Sequence, residues 1–271
     1  MPHHNREIYM RPAQAIALIC ILGTLCCCAF VLSAAADDGW IPLFNGKNFD
    51  GWYSFLRTNG KNHDPNGVFK VENGAVHILD VPEGKGEDGY LSTIQDYSDV
   101  RIHTEFKWGA KRNSEGKRNS GFLYLANGPD FIYPLSLECQ IEETDVGDLW
   151  IVNGASVTAF FVAPGFPMYD DDRNTGTRVS SVPGVSLRVL KSGDFEDRTG
   201  WNTVDVILDG NTSQHLVNGR IVNSARDIER PDPRDPTRMI PLKSGRILLE
   251  AEGAEIWFRD IRIKPLHPAS K

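Results

Sequence analysis

Short runs of β-branched and aromatic residues, separated by clusters of Gly, Asn, Asp and Pro, fill the chain after residue 40. This spacing is typical of strands joined by tight turns. Asn73-Gly74 and Asn218-Gly219 each separate two such runs, and Asn-Gly in that position is a strong hairpin signal. No long apolar pattern with the 3.6-residue period of a helix appears among them. The sequence therefore predicts an all-β fold, an antiparallel two-sheet β-sandwich that forms one domain over residues 37–271.

Two polar stretches depart from the strand pattern. The segment Gly109–Ser120 is rich in Lys, Arg, Asn and Ser, so we predict a loop between two strands. The segment Arg226–Ser244 is rich in Asp, Arg and Pro, so we predict an irregular excursion over the surface.

The N-terminal segment is unlike the rest of the chain. Arg6 and Arg11 precede an apolar run over residues 13–32, which is followed by Ser33, three alanines and two aspartates. This order is typical of a secretory signal peptide, and we expect cleavage after Ala36. The alternative is an uncleaved membrane anchor, because about 20 apolar residues are enough to span a bilayer. The protein is therefore expected to be secreted or periplasmic, with membrane contact only through residues 1–36.

The net charge and the cysteine content limit the partners and the disulfide bonds that the protein can have. The formal net charge is −7 at pH 7, which argues against nucleic acid as a partner. Four of the five cysteines lie in the leader, so only Cys139 remains and no internal disulfide can form. Cys139 is most simply a buried apolar residue.

A polar row lies within residues 134–143. If these residues form a strand, Glu138, Gln140 and Glu142 point to one face and the apolar residues between them point to the core. A second row follows in residues 246–252, where Arg246, Glu250 and Glu252 share a face. We hypothesise that the two rows line one cleft that holds a sugar.

Seven short motifs occur in the same order as in a known protein family. They are Phe44-Asn45-Gly46-Lys47 with Gly51-Trp52, Asn119-Ser120-Gly121, Glu138-Cys139-Gln140, Gly147-Asp148-Leu149-Trp150, Trp201-Asn202, His215 with Asn218-Gly219, and Phe258-Arg259-Asp260-Ile261. Together they span residues 40–266 and resemble the DUF1080 family, the 3-keto-disaccharide hydrolases. The resemblance implies a concanavalin A-like jelly-roll sandwich that cleaves glycosidic bonds of sugars oxidised at carbon 3.

The implied chemistry defines the groups that the site needs. A ketone at C3 acidifies the proton at C2, a base removes that proton, and the C1 substituent leaves by β-elimination before water adds back. The site therefore needs a base, an acid near the leaving oxygen, and donors or a metal at the enolate oxygen.

Candidate residues for these roles follow from the motifs. Glu138 or Glu142 is a candidate base and His215 a candidate acid or metal ligand. The remaining candidates would bind the substrate, by hydrogen bonds or by stacking on a sugar ring. They are Asn119, Gln140, Asn218, Glu250, Glu252, Trp150, Trp201 and Tyr169. Asn218 can instead be only a turn residue, Trp201 a core residue and His215 a satisfied buried histidine.

One departure from the family pattern bears on the mechanism. The family closes with Gln and His where this chain has Glu250 and Glu252. If that histidine works in acid–base chemistry in relatives, this chain has altered or lost that chemistry. Two carboxylates at these positions can also hold a hard cation such as Ca²⁺, and no other cofactor is expected.

Two competing functions remain open at this level. The altered Glu250 and Glu252 motif is compatible with a non-catalytic, lectin-like carbohydrate-binding module. An ordinary two-carboxylate glycoside hydrolase is the other alternative. Glu138 and Glu142 are about 13 Å apart along one strand, so a retaining pair would more easily combine Glu138 with a residue on another strand.

Overall fold

The computed structural model describes residues 38–79, 81, 84–162, 168–170 and 176–267. The predicted signal peptide or membrane anchor over residues 1–36 lies outside the described residues. Within the described ranges we find no helix with the length and apolar character needed to cross a membrane. The described residues from position 38 onward form one compact unit.

Strands are the regular secondary structure of the described residues. In chain order they are β1 (Ile41–Pro42), β2 (Trp52–Leu56), β3 (Gly60–Lys61), β4 (Phe69–Glu72), β5 (Ala75–Ile78), β6 (Gly89–Thr93), β7 (Val100–Trp108), β8 (Asn119–Asn127), β9 (Leu135–Glu142), β10 (Leu149–Val152), β11 (Ser156–Ala159), β12 (Phe161–Val162), β13 (Met168–Tyr169), β14 (Thr177–Ser180), β15 (Ser186–Val189), β16 (Asn202–Asp209), β17 (Thr212–Val217), β18 (Arg220–Asp232), β19 (Asp235–Pro241), β20 (Arg246–Ala251) and β21 (Ile256–Pro265).

Two antiparallel sheets contain nearly all of these strands. The larger sheet has the order β14-β11-β18-β17-β16-β7-β21-β5-β4, with β1 paired to β21 and β19 paired to β18. The smaller sheet has the order β15-β10-β9-β8-β20-β6-β2-β3, and β12 pairs with β13 separately. The predicted all-β, two-sheet antiparallel fold is confirmed. Asn73 and Asn218 adopt left-handed φ angles of 51° and 47° in their hairpin turns, as the Asn-Gly signal requires.

A continuous apolar core lies between the sheets. The larger sheet contributes residues such as Phe106 and Phe258, and the smaller sheet contributes Phe122, Leu137 and Cys139, all fully buried. Burial of apolar surface is the main driving force for folding, at about 25 cal/mol for each Å². The strict inward and outward alternation of each strand therefore fixes which side chains remain on the outer faces.

The prediction for residues 226–244 was wrong. Instead of an irregular excursion, β18 continues to Asp232 and turns into β19, with Glu229 opposite Pro241 and Pro231 opposite Met239. Proline lacks the backbone donor of a strand ladder, so it suppressed the strand signal in the sequence. An outer two-stranded extension tolerates proline because only one side of each strand must pair. The predicted loop is found at 109–118, between β7 and β8.

A bulge in β8 sets the register of the strands on either side of it. Leu125 adopts a left-handed φ of 54°, and the pairing of β8 shifts at this point against both β9 and β20. A Cβ atom at Gly245 would lie 2.3 Å from the carbonyl carbon of Leu125. Glycine is therefore required where β20 enters the sheet. Because Leu249 pairs with Phe122, the next residue, Glu250, lies beside Gly121.

We predict that Gly245→Ala lowers the free energy of unfolding by about 1–3 kcal/mol, because the new methyl group meets backbone atoms that cannot rotate away. Urea unfolding followed by fluorescence measures this change. Gly86→Ala is the matched control, since Gly86 is exposed and its nearest contact would be the flexible end of Leu79, at 3.3 Å. Equal unfolding midpoints for the two variants would contradict the assigned role of Gly245.

Candidate functional site

The two predicted polar rows lie on the outer face of the smaller sheet. Glu138, Gln140 and Glu142 occupy the outward positions of β9, and Glu250 occupies the outward position of β20. Strand β8 lies between β9 and β20. We call this surface, formed by the outward side chains of β6, β20, β8, β9 and β10, the carboxylate face. The rows therefore lie on one side of the sheet, as the hypothesis of a shared cleft requires.

A glycine in the middle strand brings the two rows together. Gly121 pairs with Gln140 on β9, and a Cβ atom at Gly121 would lie 2.2 Å from Glu250 Oε2 and 2.7 Å from Glu138 Oε1. The two carboxyl oxygens are therefore separated by no more than the 4.9 Å to which these distances add. Any larger residue at position 121 would occupy the space in which the two carboxyl groups face each other.

Burial perturbs both facing carboxyl groups. Glu138 is 8% exposed and Glu250 is 2% exposed. Burial raises the pKa of Glu138 well above its usual range, and the neighbouring Glu252 carboxylate adds to this effect. Burial also raises the pKa of Glu250, again with contributions from Glu252 and then Glu138. Both shifts have the sign expected for removing a charged group from water and placing it near like charges.

Glu252 lies at the more exposed rim of the carboxylate face. Asn119 Nδ2 donates a hydrogen bond of 2.8 Å to Glu252 Oε2, and the phenol of Tyr133 lies close to this carboxylate. Burial raises the pKa of Glu252 to about 7, although the nearby Tyr133 phenol and the Asn119 hydrogen bond oppose the shift. Burial together with Glu252 and Glu250 raises the pKa of Tyr133, so its phenol remains a hydrogen-bond donor at neutral pH.

Acceptor atoms are in excess over donors on the carboxylate face. Glu138 Oε1, Gln140 Oε1 and Asn119 Oδ1 are buried and have no hydrogen-bond partner among the described residues. Buried polar atoms are almost always paired in native proteins, because leaving one unpaired costs about 1–3 kcal/mol. The face is therefore suited to a ligand that brings hydrogen-bond donors or positive charge.

Glu142, the third member of the first row, is already engaged. Its Oε1 accepts a hydrogen bond of 2.8 Å from Lys117 Nζ, in the loop before β8. Because Lys117 neutralises this carboxylate, the base role predicted for Glu142 has less support from the geometry than the roles of Glu138, Glu250 and Glu252.

Trp150 extends the carboxylate face across β10. It pairs with Glu138 on one side and with Arg188 on the other, and the Arg188 guanidinium lies 5.6 Å from the Trp150 ring centre. Arg188 also forms ion pairs with Asp148 and with Asp145. The partly buried Trp150 ring next to Glu138 provides a surface on which a sugar ring can stack.

A second aromatic surface, which the sequence did not reveal, lies on the other side of Glu250. Tyr90 pairs with Glu250, and Phe55 stacks on Tyr90 with 5.3 Å between ring centres. The Tyr90 hydroxyl donates a hydrogen bond to Asp130, which also forms an ion pair with Arg246 at 2.8 Å. Arg246, the first residue of the second row, is therefore tied to Asp130 rather than to the other members of its row.

Three predicted site residues are placed away from the carboxylate face. His215 lies between the sheets, where its Nε2 is 2.8 Å from the Tyr124 hydroxyl and its Nδ1 is 3.1 Å from the Gly147 carbonyl. Burial lowers the pKa of His215 to about 4, so it is neutral at pH 7. The structure does not bring His215 to the carboxylates, and the alternative of a satisfied buried histidine describes its environment.

Asn218 and Trp201 lie next to strands of the larger sheet, Asn218 in the turn between β17 and β18 and Trp201 directly before β16. Asn218 accepts a hydrogen bond from the Thr203 backbone and donates to Asn202, which is the role of a turn residue. Trp201 stacks against Arg259 on the outer surface, with 3.8 Å from guanidinium to ring centre. Tyr169 lies in β13, where its backbone N–H donates to the Leu190 carbonyl. With Trp201 beside the larger sheet, Trp150 is the predicted tryptophan that lies on the carboxylate face.

Comparison with known proteins identifies the family. A sequence profile of the 3-keto-alpha-glucoside-1,2-lyase-like domain matches residues 39–264. The chain belongs to this family. It is 20% identical over 254 residues to a 3-keto-disaccharide hydrolase of Bacteroides thetaiotaomicron. The alignment covers 84% of this chain and 79% of that protein. The predicted resemblance is confirmed, and the protein is a glycoside hydrolase-like, carbohydrate-active member of the family.

Two solved structures share the fold. Both are proposed glycosyl hydrolases from Parabacteroides distasonis ATCC 8503. One has a TM-score of 0.52 and 22% identity, and covers 84% of this chain and 94% of its own. The other has a TM-score of 0.50 and 19% identity, and covers 84% of this chain and 99% of its own. At this level of identity the likeness establishes the sandwich architecture of the 3-keto-alpha-glucoside-1,2-lyase-like domain.

An ion-pair cluster fixes the loop beside the carboxylate face. Arg112 and Arg118 of loop 109–118 both bind Glu143, which directly follows β9. Their hydrogen bonds lower the pKa of Glu143 to about 2. Because the folded-state pKa is depressed, this carboxylate contributes stability above the unfolded pKa of about 4.5, and the contribution is lost as pH falls toward 2.

We therefore predict that Glu143→Gln lowers the free energy of unfolding by on the order of 1–2 kcal/mol at pH 7. The difference from the wild-type protein should shrink below pH 4.5 and vanish near pH 2. Denaturant unfolding at a series of pH values measures both effects. Glu115→Gln, an exposed substitution in the same loop, should change stability by less than about 0.5 kcal/mol. A Glu143 effect that is constant with pH would contradict the ion-pair explanation.

Proposed function

We propose that the protein cleaves glycosidic bonds of 3-keto-glycosides by elimination followed by hydration. The observation that carries this proposal is the facing of Glu138 and Glu250 across Gly121, with Glu252 and the nearby Tyr133 at the rim. Membership of the family supports a sugar substrate, and the carboxylate face contains the carboxyl groups that the elimination needs. No step of the proposed reaction uses the buried His215.

Glu252 is proposed as the base because it is the most accessible carboxyl of the cluster. It takes the proton from C2, and the C2–H electrons form the enolate with the C3 carbonyl. The enolate then expels the C1 substituent as the C1–O bond breaks and a C1=C2 double bond forms. Asn119 holds Glu252 in position through its side-chain amide.

Tyr133 is proposed as the acid that protonates the departing oxygen. Its phenol lies close to Glu252, so the acid and the base are neighbours, and the phenol is protonated at neutral pH. Water then adds at C1 and a proton returns to C2, which makes the overall reaction a hydrolysis. Glu138 and Glu250 face each other too closely for both to be ionised, so one of them keeps its proton and donates a hydrogen bond to the enolate oxygen.

An ordinary retaining glycosidase is the second candidate. Retaining enzymes use two carboxyl groups about 5–5.5 Å apart, and Glu138 and Glu250 are a close pair on different strands, with oxygens no more than 4.9 Å apart. In such a mechanism one carboxylate attacks C1 directly and the C2 hydrogen remains in place. The fate of that hydrogen therefore separates the two candidates.

Incubation with a disaccharide and with its 3-keto derivative in D₂O tests the choice. We expect cleavage of the keto sugar alone, with one enzyme-dependent deuterium at C2 of the product detected by NMR. Glu252→Gln should lower turnover by about 10²–10⁴-fold, the range for losing a general base. Glu105→Gln, on the other sheet, is the matched control and should retain the wild-type rate. Cleavage of both sugars without deuterium selects the retaining mechanism, and binding without turnover selects the lectin-like alternative.

Gly121→Ala tests the geometry of the facing carboxyl groups. The new methyl group would overlap Glu250 Oε2 and Glu138 Oε1, which lie at the ends of flexible side chains and can move apart. We expect the variant to fold and to lose at least about tenfold in kcat on the keto sugar, because misplaced catalytic groups are costly. Circular dichroism checks the fold. An unchanged kcat would remove the Glu138–Glu250 pair from the mechanism.

A further inference from the structure

The unpaired acceptors of the carboxylate face point to a ligand other than a sugar. Glu138 Oε1 and Gln140 Oε1 belong to side chains that are more than nine-tenths buried, and neither has a partner among the described residues. The carboxyl oxygens of Glu138 and Glu250 both reach the space above Gly121, whose cross-strand partner on β9 is Gln140. Two buried carboxyl groups thus share one space, and an unpaired amide oxygen belongs to the residue beside it.

The nearest positive side chains are committed elsewhere. Arg188 pairs with Asp148 and Asp145, and Lys117 pairs with Glu142. Among the described residues, these ion pairs leave Glu138 and Glu250 without a cation of their own. An uncompensated buried charge is expensive, so such a site favours either protons or a bound cation.

The separation of the two facing oxygens is compatible with one ion that contacts both. Ca²⁺ binds oxygen atoms at about 2.3–2.6 Å, so two of its ligands can be up to about 5.2 Å apart. Glu138 Oε1 and Glu250 Oε2 are no more than 4.9 Å apart, which is within this reach. The missing side chain of Gly121 is what lets the two oxygens approach each other.

We propose that Glu138, Glu250 and Gln140 bind one hard divalent cation, Ca²⁺, at the centre of the carboxylate face. All three supply oxygen ligands, which Ca²⁺ prefers, whereas Zn²⁺ prefers sites that contain nitrogen or sulfur. The unpaired oxygens have almost no exposed surface, which favours a small ion over an amine carried on a sugar ring as their partner. The inference goes beyond the proposed reaction, because it concerns binding of the metal alone.

Two other clusters of ligand-type side chains occur in the described residues and provide controls. They are Asp99 with Asp209 and His267, and His103 with Glu105 and Asp260. In the second cluster, Glu105 is already paired with Arg259 at 2.6 Å and Asp260 with Arg262 at 3.2 Å. These guanidinium groups occupy the carboxylates that a metal would need.

Isothermal titration of Ca²⁺ into the EDTA-treated protein at neutral pH tests the site. We expect one bound ion in the wild-type protein and at least tenfold weaker binding in Glu138→Gln and in Glu250→Gln. Both substitutions keep the side-chain shape and remove a buried charge, so the fold should persist, as thermal unfolding can verify. Glu105→Gln and Asp209→Asn are the matched controls and should bind Ca²⁺ with the wild-type affinity.

Terbium luminescence gives an independent readout of position. Tb³⁺ takes calcium sites and emits when a nearby tryptophan is excited, and Trp150 is the cross-strand neighbour of Glu138. We expect Trp150→Phe to reduce the sensitised emission at least fivefold while calorimetric Ca²⁺ binding stays within twofold of wild type. Emission that survives in Trp150→Phe would place the ion elsewhere and overturn the proposal.

The remaining outcomes also support or overturn the proposed cation site. Absence of Ca²⁺ binding at millimolar concentration, or binding that is lost in Glu105→Gln or Asp209→Asn instead, overturns the proposed site. A preference for Zn²⁺ over Ca²⁺ overturns the assignment of a hard cation. Turnover of the keto sugar by the EDTA-treated protein without Ca²⁺ binding would leave the proposed function standing and remove the cation. Ca²⁺ binding without any turnover would leave the cation site standing and remove the proposed function.

Discussion

The outer face of the smaller sheet depends on one steric constraint, the missing side chain at position 121. In a pleated sheet, side chains two strands apart are normally separated by a neighbour that stands between them. Here the neighbour is Gly121, so Glu138 from β9 and Glu250 from β20 can approach across β8. Burial raises the pKa of both carboxyl groups, with Glu252 adding to each shift, and acceptor oxygens are left without partners among the described residues. The electrostatic character of the site follows from that one gap.

The rest of the sandwich maintains the gap. Core packing requires Leu137 and Cys139 to point inward, which forces Glu138 and Gln140 outward despite the cost of burying them. The bulge at Leu125 and the glycine at 245 then set the register that brings Glu250 to Gly121. Carboxyl groups that would be solvated on an ordinary sheet face are in this way held together in a poorly hydrated environment. Such a balance is common at functional sites, where local cost is offset by stability elsewhere.

The same sheet also explains why some motif residues are not part of the site. His215 and Asn218 lie close to one another in sequence and within a family motif, yet His215 belongs to the larger sheet and Asn218 to a turn between two of its strands. His215 joins the two sheets through Tyr124, and Asn218 ties a turn to Asn202. These residues stabilise the fold that supports the carboxylate face without reaching it. A polar residue in a conserved-looking motif can therefore be structural, and only its position in the sheets reveals the difference.

The sequence by itself determined the strands, the hairpins, the two-sheet fold and the two rows of outward polar residues. Those features depend on local periodicity and turn chemistry, which are written in neighbouring residues. The β18–β19 hairpin was not predicted, because its prolines are residues that strands rarely contain. Only the tertiary structure decided that Glu138 faces Glu250 and that Tyr90 and Tyr133 lie near these carboxyl groups. It also decided that His215 lies away from them. Pairings between residues more than 100 positions apart arise from register and packing, and local sequence patterns carry no record of them.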